Sequence, residues 1–556
     1  MRSNILTWLA PALLVLLLQG CGGGGAAADE APALGAPQAA TAQAPPPAQQ
    51  PPPPPPGQAP PPAQQPPPPP PPGQQPPPPP PAGSVDDQLH AVIRNQNLTG
   101  DPRRGAPTPA IETPLAQLGM RLFFSKSLGG QFDAACASCH HPALAGTDRL
   151  SLPVGVHATD PSLLGPGRTH ISGVPNVPRN APTTFNVALA ERLQFHDGRV
   201  ESLAPQPGTN GANGAIRTPD SAFGQPDRNA GTTLPAAQSR FPVTVAAEMR
   251  AGLLPGASNE AVRNRLAARL GNYGAGSGEL RPNTWLARFR EAFGVSSPPQ
   301  SVVTYANVAE AIAAYERSQT FVDNPWRAYV AGNNAAIPDN AKRGALLFLS
   351  PPNRGGAGCS GCHRGDRFSD ESFATVAFPL IGPGKGDGPR ASDDFGRERE
   401  TRNADDRYSI RVPSLLNVAL TAPYGHTGSY ATLDQVVRHY VNPQGSVQNY
   451  FDRGGWCALP QFRALPAQQC ASLYPDARAN SRLALDKLQA ERAAGRSRLP
   501  QIRLDQNQAG DIVAFLRTLT DRCAADRTCV GRWVPPAANA PDAQQLNALN
   551  ERGEPL

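Results

Sequence analysis

The chain has 556 residues, of which 39% are hydrophobic, 17% are charged and 67 are prolines. Fifty basic side chains against 44 acidic ones give a net charge of +6, which is too small and too evenly spread to predict nucleic-acid binding. By length alone, the part of the chain beyond residue 84 has room for two or three domains.

The first twenty residues have the features of an export signal. Arg2 precedes an apolar run from Leu6 to Leu18, and Gln19-Gly20-Cys21 follow. This ending resembles a bacterial lipobox, in which the cysteine is acylated after cleavage. The apolar run is shorter than the roughly 20 residues that span a bilayer. We therefore expect residues 1–20 to be removed, Cys21 to be lipidated, and the protein to face the periplasm on a lipid anchor.

Residues 21–84 are predicted to be a disordered linker without a hydrophobic core. Repeats of proline with alanine and glutamine fill most of this segment. Proline-rich tracts stay extended, at about 3.1 Å per residue, and act as spacers. The favoured interpretation is a spacer that holds the rest of the protein away from the membrane. A ligand for a proline-binding module is the alternative.

Beyond residue 84, the spacing of apolar residues predicts a mainly α-helical protein. Amphipathic runs predict helices at Pro114–Phe124 and Val302–Phe321 in the first part of the chain. Similar runs at Ala341–Leu349 and Gln508–Thr520 predict helices in the second part. Each pair encloses one copy of the motif described next.

The sequence Cys-x-x-Cys-His occurs twice, at residues 136–140 and 359–363. Two cysteines at this spacing bind the vinyl groups of a haem, and the histidine becomes an axial iron ligand. A zinc site would need further cysteines or histidines near by, and a redox dithiol needs no histidine. The motifs therefore predict two covalent c-type haems, on Cys136, Cys139 and His140 and on Cys359, Cys362 and His363. With its flanking helices, each motif has the pattern of a cytochrome c domain.

Four of the nine cysteines are left over once lipid and haem are accounted for. An even number in an exported protein predicts disulfides. Three pairings are possible, and pairing nearest neighbours gives Cys457–Cys470 and Cys523–Cys529.

The second haem cannot use the methionine that usually completes an electron-transfer cytochrome, because no methionine follows Cys359. The candidates for its other ligand are His426, His439 and Tyr440. Residues 432–435 have the form of a capping box, and Asn442-Pro443 ends the predicted helix. On this helix Tyr440 shares the apolar face, whereas His439 is predicted to point outward.

The residues named so far resemble the bacterial di-haem cytochrome c peroxidase and MauG family. The resemblance covers roughly residues 110–520 and rests on segments in the family's order. These are Leu122–Phe124, Cys136–Pro142, Arg179–Thr183, Phe195–Arg199, Ala314–Arg317, Arg411–Asn417 and Leu420–Gly428.

In this family the first haem reacts with peroxide, and the second stores or relays electrons. The residue fourteen positions after the histidine of the Pro-Tyr-x-His segment ligates the second iron, and here it is Tyr440. Ordinary peroxidases have methionine there, and MauG-like members have tyrosine. A phenolate is a hard anionic donor that stabilises oxidised iron. The resemblance therefore favours MauG-like chemistry.

Over the first haem, the family's distal pair corresponds to Gln206 and Glu248. The glutamate would move a proton between the two peroxide oxygens. Ordinary peroxidases also hold a labile histidine over this haem at rest. His170 lies two residues off the family spacing, so we expect a loop histidine and an open peroxide site.

Between the haems, the resemblance implies a calcium ion and several polar groups. Backbone carbonyls and one amide suit a hard cation. The corresponding calcium contacts are Asn180, Thr421 and Pro423. His426 and Arg411 would lie near haem propionates. His196 stands where the family usually has an electron-relaying tryptophan, so electrons take another route or His196 acts through hydrogen bonds.

The expected domains are an N-terminal peroxidatic cytochrome c-like domain at 85–325, a C-terminal one at 326–535, and a flexible tail at 536–556. The predicted function is hydrogen peroxide reduction. The reductant is a small redox protein, such as a cytochrome or cupredoxin. The alternatives are oxidation of side chains of a partner protein, as in MauG, and electron transfer without catalysis.

Overall fold

The structure is a computed structural model that describes residues 83–556. The predicted signal peptide, Cys21 and nearly all of the linker lie outside the described residues. The described residues belong to one compact unit. No helix within them is long and apolar enough to cross a membrane.

The described part of the chain is mainly helical, which confirms the prediction of a mainly α-helical protein. Its first α-helices are Val85–Asn95 (α1), Pro114–Phe123 (α2), Leu234–Gln238 (α3), Asn259–Gly271 (α4), Trp285–Phe293 (α5), Pro299–Val302 (α6), Tyr305–Ser318 (α7) and Pro325–Val330 (α8). The later ones are Asp339–Leu349 (α9), Glu398–Thr401 (α10), Leu433–Val441 (α11), Pro443–Asp452 (α12), Ala467–Ser472 (α13), Ala477–Ala493 (α14), Gln506–Arg517 (α15), Arg522–Ala525 (α16) and Arg527–Val530 (α17). A π-helical turn covers Ala246–Arg250.

Two small antiparallel sheets complete the regular structure. The first has the order β1-β2-β3, and the second pairs β4 with β5. In the first sheet Glu201 pairs with Leu193 on one side and with Arg217 on the other. The strands are Leu193–Gln194 (β1), Val200–Ser202 (β2), Ile216–Arg217 (β3), Phe373–Thr375 (β4) and Ser409–Arg411 (β5).

Two pairs of helices cross at glycines, one pair for each Cys-x-x-Cys-His motif. Where α2 meets α7, a Cβ on Gly119 would lie 1.8 Å from the carbonyl oxygen of Ala311. Where α9 meets α15, a Cβ on Gly344 would lie 1.8 Å from the carbonyl oxygen of Asp511. Only glycine permits such close backbone contact. The four helices predicted around the motifs are therefore present, and they cross in two equivalent pairs.

The two helix pairs lie in separate hydrophobic cores. The first core is built around α2 and α7 and includes Leu122, Phe289 and Tyr315. The second is built around α9 and α15 and includes Phe348 and Phe515. Burial of such side chains is the main contribution to folding free energy. Each motif therefore stands against a core of its own.

The ends of the described chain pack differently from the predicted boundaries. Helix α1 contributes Leu89 and Ile93 to the second core, although residues 85–325 were expected to form the first domain. Residues 536–556 are not a free tail, because Leu546 is buried in the first core and its N–H donates to the carbonyl of Phe124 at 2.7 Å. The N-terminal end of the described chain thus packs on the second core, and the C-terminal end packs on the first.

Two disulfides join Cys457 to Cys470 and Cys523 to Cys529. This is the nearest-neighbour pairing. The first closes a segment next to Trp456, whose indole N–H donates to the carbonyl of Cys470 at 2.8 Å.

Candidate functional site

Both Cys-x-x-Cys-His motifs fold into a short 3₁₀ turn, at Cys136–Ser138 and Cys359–Gly361. The N–H of His140 donates to the carbonyl of Cys136 at 3.1 Å, and that of His363 to the carbonyl of Cys359 at 2.9 Å. Each histidine is thereby held directly over its own pair of cysteines. The four cysteines that form no disulfide among the described residues are Cys136, Cys139, Cys359 and Cys362.

Both motif histidines are oriented as iron ligands. The Nδ1 atom of His140 lies 3.2 Å from the carbonyl oxygen of Gly146, and that of His363 lies 3.0 Å from the carbonyl oxygen of Phe368. Because a carbonyl oxygen only accepts, Nδ1 carries the proton and Nε2 keeps its lone pair. Burial lowers the pKa of both rings, which keeps them neutral. The residues present therefore fit the axial positions of two haems.

A cavity of about 340 Å³ opens beside the second motif. It is lined by Cys359, Cys362 and His363 and also by Tyr440. Its apolar walls suit a flat macrocycle, and arginines on its lining suit the propionates. The apolar lining includes Phe348, Leu416, Leu433, Val437, Ile512 and Leu516, and the arginines are Arg367, Arg411 and Arg498.

Tyr440 lies on α11, which begins with the predicted capping box at Thr432 and Gln435. Burial raises the pKa of the Tyr440 phenol well above its usual value, and the nearby Cys359 and Cys362 thiols add to this increase. In such a place the hydroxyl loses its proton only when a cation beside it stabilises the phenolate. The phenol is therefore suited to bind ferric iron in the cavity that it shares with His363.

His439 does not point outward as predicted. Its side chain is fully buried, and its Nε2 atom lies 2.7 Å from the carbonyl oxygen of Val376. Phe378 packs edge-on against the ring, with 4.6 Å between centroids. The prediction was wrong because the segment around residues 376–378, distant in sequence, covers this side of the helix. Burial lowers the pKa of His439 to about 4.

Glu248 lies near the first motif, on the π-helical turn, a feature that often marks functional sites. Burial raises the pKa of this half-buried carboxyl, against the charges of Arg199, Lys385 and Arg179. Burial also raises the pKa of the Cys139 thiol, and the Glu248 charge adds to that increase. The backbone of Glu248 packs against Gly155, which follows Val154, and the carbonyl of Val154 contacts the Cys139 thiol.

The other predicted distal residue is Gln206. Its side chain is exposed, on a loop that the Glu191 carboxylate holds through the N–H groups of Gly208 and Asn210, at 2.8 and 2.9 Å. Within residues 83–556, no hydrogen bond joins Gln206 to Glu248. Their pairing over the first haem stays a prediction.

A buried charge network next to Glu248 was not recognised in the sequence. The guanidinium of Arg179 donates to both carboxylate oxygens of Asp394, at 2.6 and 2.7 Å, and to Asp197 at 2.6 Å. Burial alone would raise the pKa of both carboxyls, but Arg179, with Arg199 beside Asp197, holds both well below the usual range. Burial and the two arginines lower the pKa of Lys385 to about 8. Arg179 begins one of the family-like segments, but no local signal marked Asp394.

His196 and His426 line the cavity together, with 6.4 Å between ring centroids. The Nε2 atom of His196 lies 3.0 Å from the carbonyl oxygen of Asn180, and the Asn180 N–H donates to the carbonyl of His426. Burial lowers the pKa of His196 to about 3 and that of His426 to about 4. Both rings are therefore neutral, and His196 is held by its hydrogen bond to Asn180.

Four further residues singled out in the sequence are placed as follows. Asn180, Thr421 and Pro423 all line the same cavity, and the Asn180 side-chain amide donates to the carbonyl of Leu150 at 2.7 Å. Among the described residues, no cluster of three histidine, cysteine, aspartate or glutamate side chains could hold a metal ion. His170 forms a surface turn with Ser172, whose hydroxyl oxygen lies 2.7 Å from its Nδ1 atom.

Comparison with known proteins identifies the class of the enzyme. A family model described as di-haem cytochrome c peroxidase matches residues 113–335. The methylamine utilization protein MauG of Methylorubrum extorquens is 27% identical over 355 residues, covering 64% of this chain and 74% of that protein. Cytochrome c551 peroxidase of Pseudomonas aeruginosa is 27% identical over 364 residues, covering 65% and 81%. A solved MauG-like protein associated with microbial copper homeostasis matches with a TM-score of 0.48 and 23% identity, over 77% of this chain and 97% of that one.

The chain is thus a relative of the di-haem cytochrome c peroxidases and the MauG proteins, which confirms the resemblance of its motifs. It is an oxidoreductase of the di-haem peroxidase type.

Proposed function

We propose that the protein is a lipid-anchored periplasmic enzyme that reduces hydrogen peroxide at the site of His140. The site of His363 and Tyr440 transfers or stores the oxidising equivalents. Two covalently bound haems supply the redox chemistry. The proposal is carried by the difference between the two sites. The second has a phenol in the cavity of its motif, whereas the first has Glu248 on a turn that packs against Gly155, next to the residue that contacts Cys139.

In this proposal Glu248 is the general base and acid of the first site. Its raised pKa matches the task of taking a proton from one peroxide oxygen and returning it to the other. Arg199 and Lys385 stabilise the carboxylate between these two transfers. Gln206 has no part in the proposal, because its exposed loop is tied to Glu191.

We expect Glu248→Gln to slow the reaction with peroxide by roughly 10²- to 10⁴-fold, the usual contribution of a general acid–base group. In the unaltered protein the rate should fall as pH drops through the pKa of Glu248. Because that pKa is raised, the fall begins at a higher pH than for an ordinary glutamate. The amide cannot titrate, so the rate of the variant should not show this fall at low pH. Stopped-flow rates across pH measure both effects.

Glu260→Gln is the matched control, since Glu260 is an exposed glutamate on α4. It should keep the rate and the pH profile of the unaltered protein. A Glu248→Gln variant that behaved in the same way would remove Glu248 from the mechanism.

The reductant defines two candidate functions. A small cytochrome or cupredoxin would make the protein a peroxide-detoxifying enzyme. A side chain of a partner protein would make it MauG-like, and the phenol of Tyr440 favours this second function, because a hard anionic ligand stabilises oxidised iron. In the first case peroxide is consumed in proportion to reduced donor. In the second it is consumed without donor, and a partner protein is modified. Absence of peroxide consumption with either would indicate an electron-transfer cytochrome and contradict the proposal.

We also propose that a calcium ion binds between Asn180, Thr421 and Pro423. All three residues line the same cavity, which supports this, and carbonyl and amide oxygens are ligands that calcium prefers. Metal analysis of the purified protein before and after chelation tests it, and a calcium content of zero before chelation would contradict it.

A further inference from the structure

Tyr430 and His439 form a buried hydrogen-bonded pair behind Tyr440. The hydroxyl oxygen of Tyr430 lies 2.9 Å from Nδ1 of His439. The Tyr430 side chain is 3% exposed and that of His439 is 0% exposed. Nothing in the peroxide chemistry described above uses this pair. A buried tyrosine–imidazole contact is more than a packing contact when the imidazole is able to take the phenolic proton.

The other nitrogen of His439 fixes the direction of the hydrogen bond. Nε2 lies 2.7 Å from the carbonyl oxygen of Val376, which only accepts, so Nε2 carries the proton of the neutral ring. Nδ1 therefore presents a lone pair, and the hydroxyl of Tyr430 donates to it. The ring can accept a second proton at Nδ1 without losing its hydrogen bond to Val376.

The pair is also close to the proposed ligand of the second haem. The ring of Phe378 packs edge-on against both Tyr430 and Tyr440, with centroid distances of 5.5 and 5.7 Å. The ring of His439 lies 6.3 Å from that of Tyr440. One layer of aromatic rings thus separates Tyr430 from Tyr440, a gap that an electron crosses readily. Farther from the cavity, the ring of Tyr450 lies 6.0 Å from that of Tyr430.

We propose that Tyr430 is a redox-active tyrosine that donates an electron to the second haem site, with His439 as its proton acceptor. The inference rests on the proposed function, because hydrogen peroxide supplies the oxidising equivalent. One electron leaves the phenol of Tyr430 for the oxidised second site. The O–H bond breaks, an N–H bond forms at Nδ1 of His439, and a neutral tyrosyl radical and an imidazolium result. An oxidised phenol is a very strong acid, so a neutral imidazole suffices as its base.

Other buried tyrosines lack this combination. The hydroxyl of Tyr315 donates to the carbonyl of Trp533 at 2.7 Å, and a carbonyl cannot take the proton. The hydroxyl of Tyr450 has no hydrogen-bond partner within the described part of the chain. Tyr408 donates to Asp393 at 2.7 Å, but its ring packs against Phe395 and not against Phe378. The structure therefore distinguishes Tyr430 by both its base and its position.

The test adds one equivalent of hydrogen peroxide to the diferric di-haem protein without a reductant. Optical spectra of both haems and freeze-quenched electron paramagnetic resonance (EPR) spectra are recorded together. We expect an organic radical whose EPR signal narrows when the protein carries ring-deuterated tyrosine. The signal should be lost in Tyr430→Phe and kept in the control Tyr408→Phe. His439→Gln retains a hydrogen-bond acceptor but not a base, so it should also lose the signal, and radical formation in the unaltered protein should be slower in D₂O.

The possible results separate this inference from the proposed function. If the haem spectra change but no tyrosine-derived signal appears, or the signal survives in Tyr430→Phe, only the redox role of Tyr430 is overturned. If Tyr430→Phe does not fold, retention of the signal in His439→Gln overturns the role of the pair. If peroxide leaves both haem spectra unchanged, the proposed function fails and this inference fails with it.

Discussion

Replacing Tyr440 with methionine is expected to raise the reduction potential of the second haem markedly, within the ~0.8 V range that axial ligands span. Methionine is a soft, neutral ligand that stabilises ferrous iron, whereas a phenolate stabilises ferric iron. The cavity of Tyr440, Cys359 and His363 accommodates the change, because methionine is flexible and has no charge to solvate. Tyr440→Phe removes the proposed ligand and should alter the low-spin spectrum of this haem. Potentiometric titration of the holoprotein measures the first effect, and EPR spectroscopy the second.

Tyr424 provides the matched control, because it lines the same cavity and burial raises the pKa of its phenol as well. Tyr424→Phe should leave the potential and spin state of the second haem unchanged. If Tyr440→Phe also left them unchanged, Tyr440 would not be a ligand.

Replacing Arg179 with alanine should destabilise the protein by about 3–5 kcal/mol, the usual cost of removing one partner from a buried ion pair. Asp394 and Asp197 would each be left buried without their main counter-charge. Denaturation by urea, followed by far-ultraviolet circular dichroism, measures the loss. The exposed Arg390, which pairs with Asp476, is the control, and Arg390→Ala should cost no more than about 1 kcal/mol.

The same ion pairs make the stability of the protein depend on pH in the acid range. Both carboxyls have a lowered pKa in the folded protein, so their contribution is complete above the ordinary pKa of aspartate, ~3.9, and is lost as pH falls below it. In Arg179→Ala the unpaired carboxyls should instead have a raised pKa. The difference in stability between the two proteins should therefore shrink as pH is lowered from 7 toward 4. A difference that does not change with pH would contradict the proposed ion pairing.

The sequence predicted correctly those helices and motifs that depend on a few neighbouring residues. The apolar spacing of residues 114–124 and 341–349 gave the helices before each motif, and the capping box gave the start of α11. The haem cysteines and histidines follow from a five-residue pattern. Helical periodicity also placed Tyr440 on the side that lines the cavity.

Contacts between distant segments could not be predicted in the same way. His439 was assigned to the solvent side because its helix neighbours are polar, yet Val376 and Phe378, about sixty positions earlier, cover it. Arg179 and Asp394 are 215 positions apart, and no pattern links them. The packing of Leu546 on the first core likewise depends on a contact with Phe124, which is distant in the sequence.

We propose that the two sites are unequal, with an open first site and a second site held by His363 and Tyr440. Addition of stoichiometric hydrogen peroxide to the diferric protein, with optical and EPR spectra of both haems, tests it most directly. We expect both haem spectra to change without any prior reduction, because the first site is proposed to be open and the second is proposed to supply an electron and store the oxidising equivalent. A diferric protein that stays inert until one electron is added would contradict it.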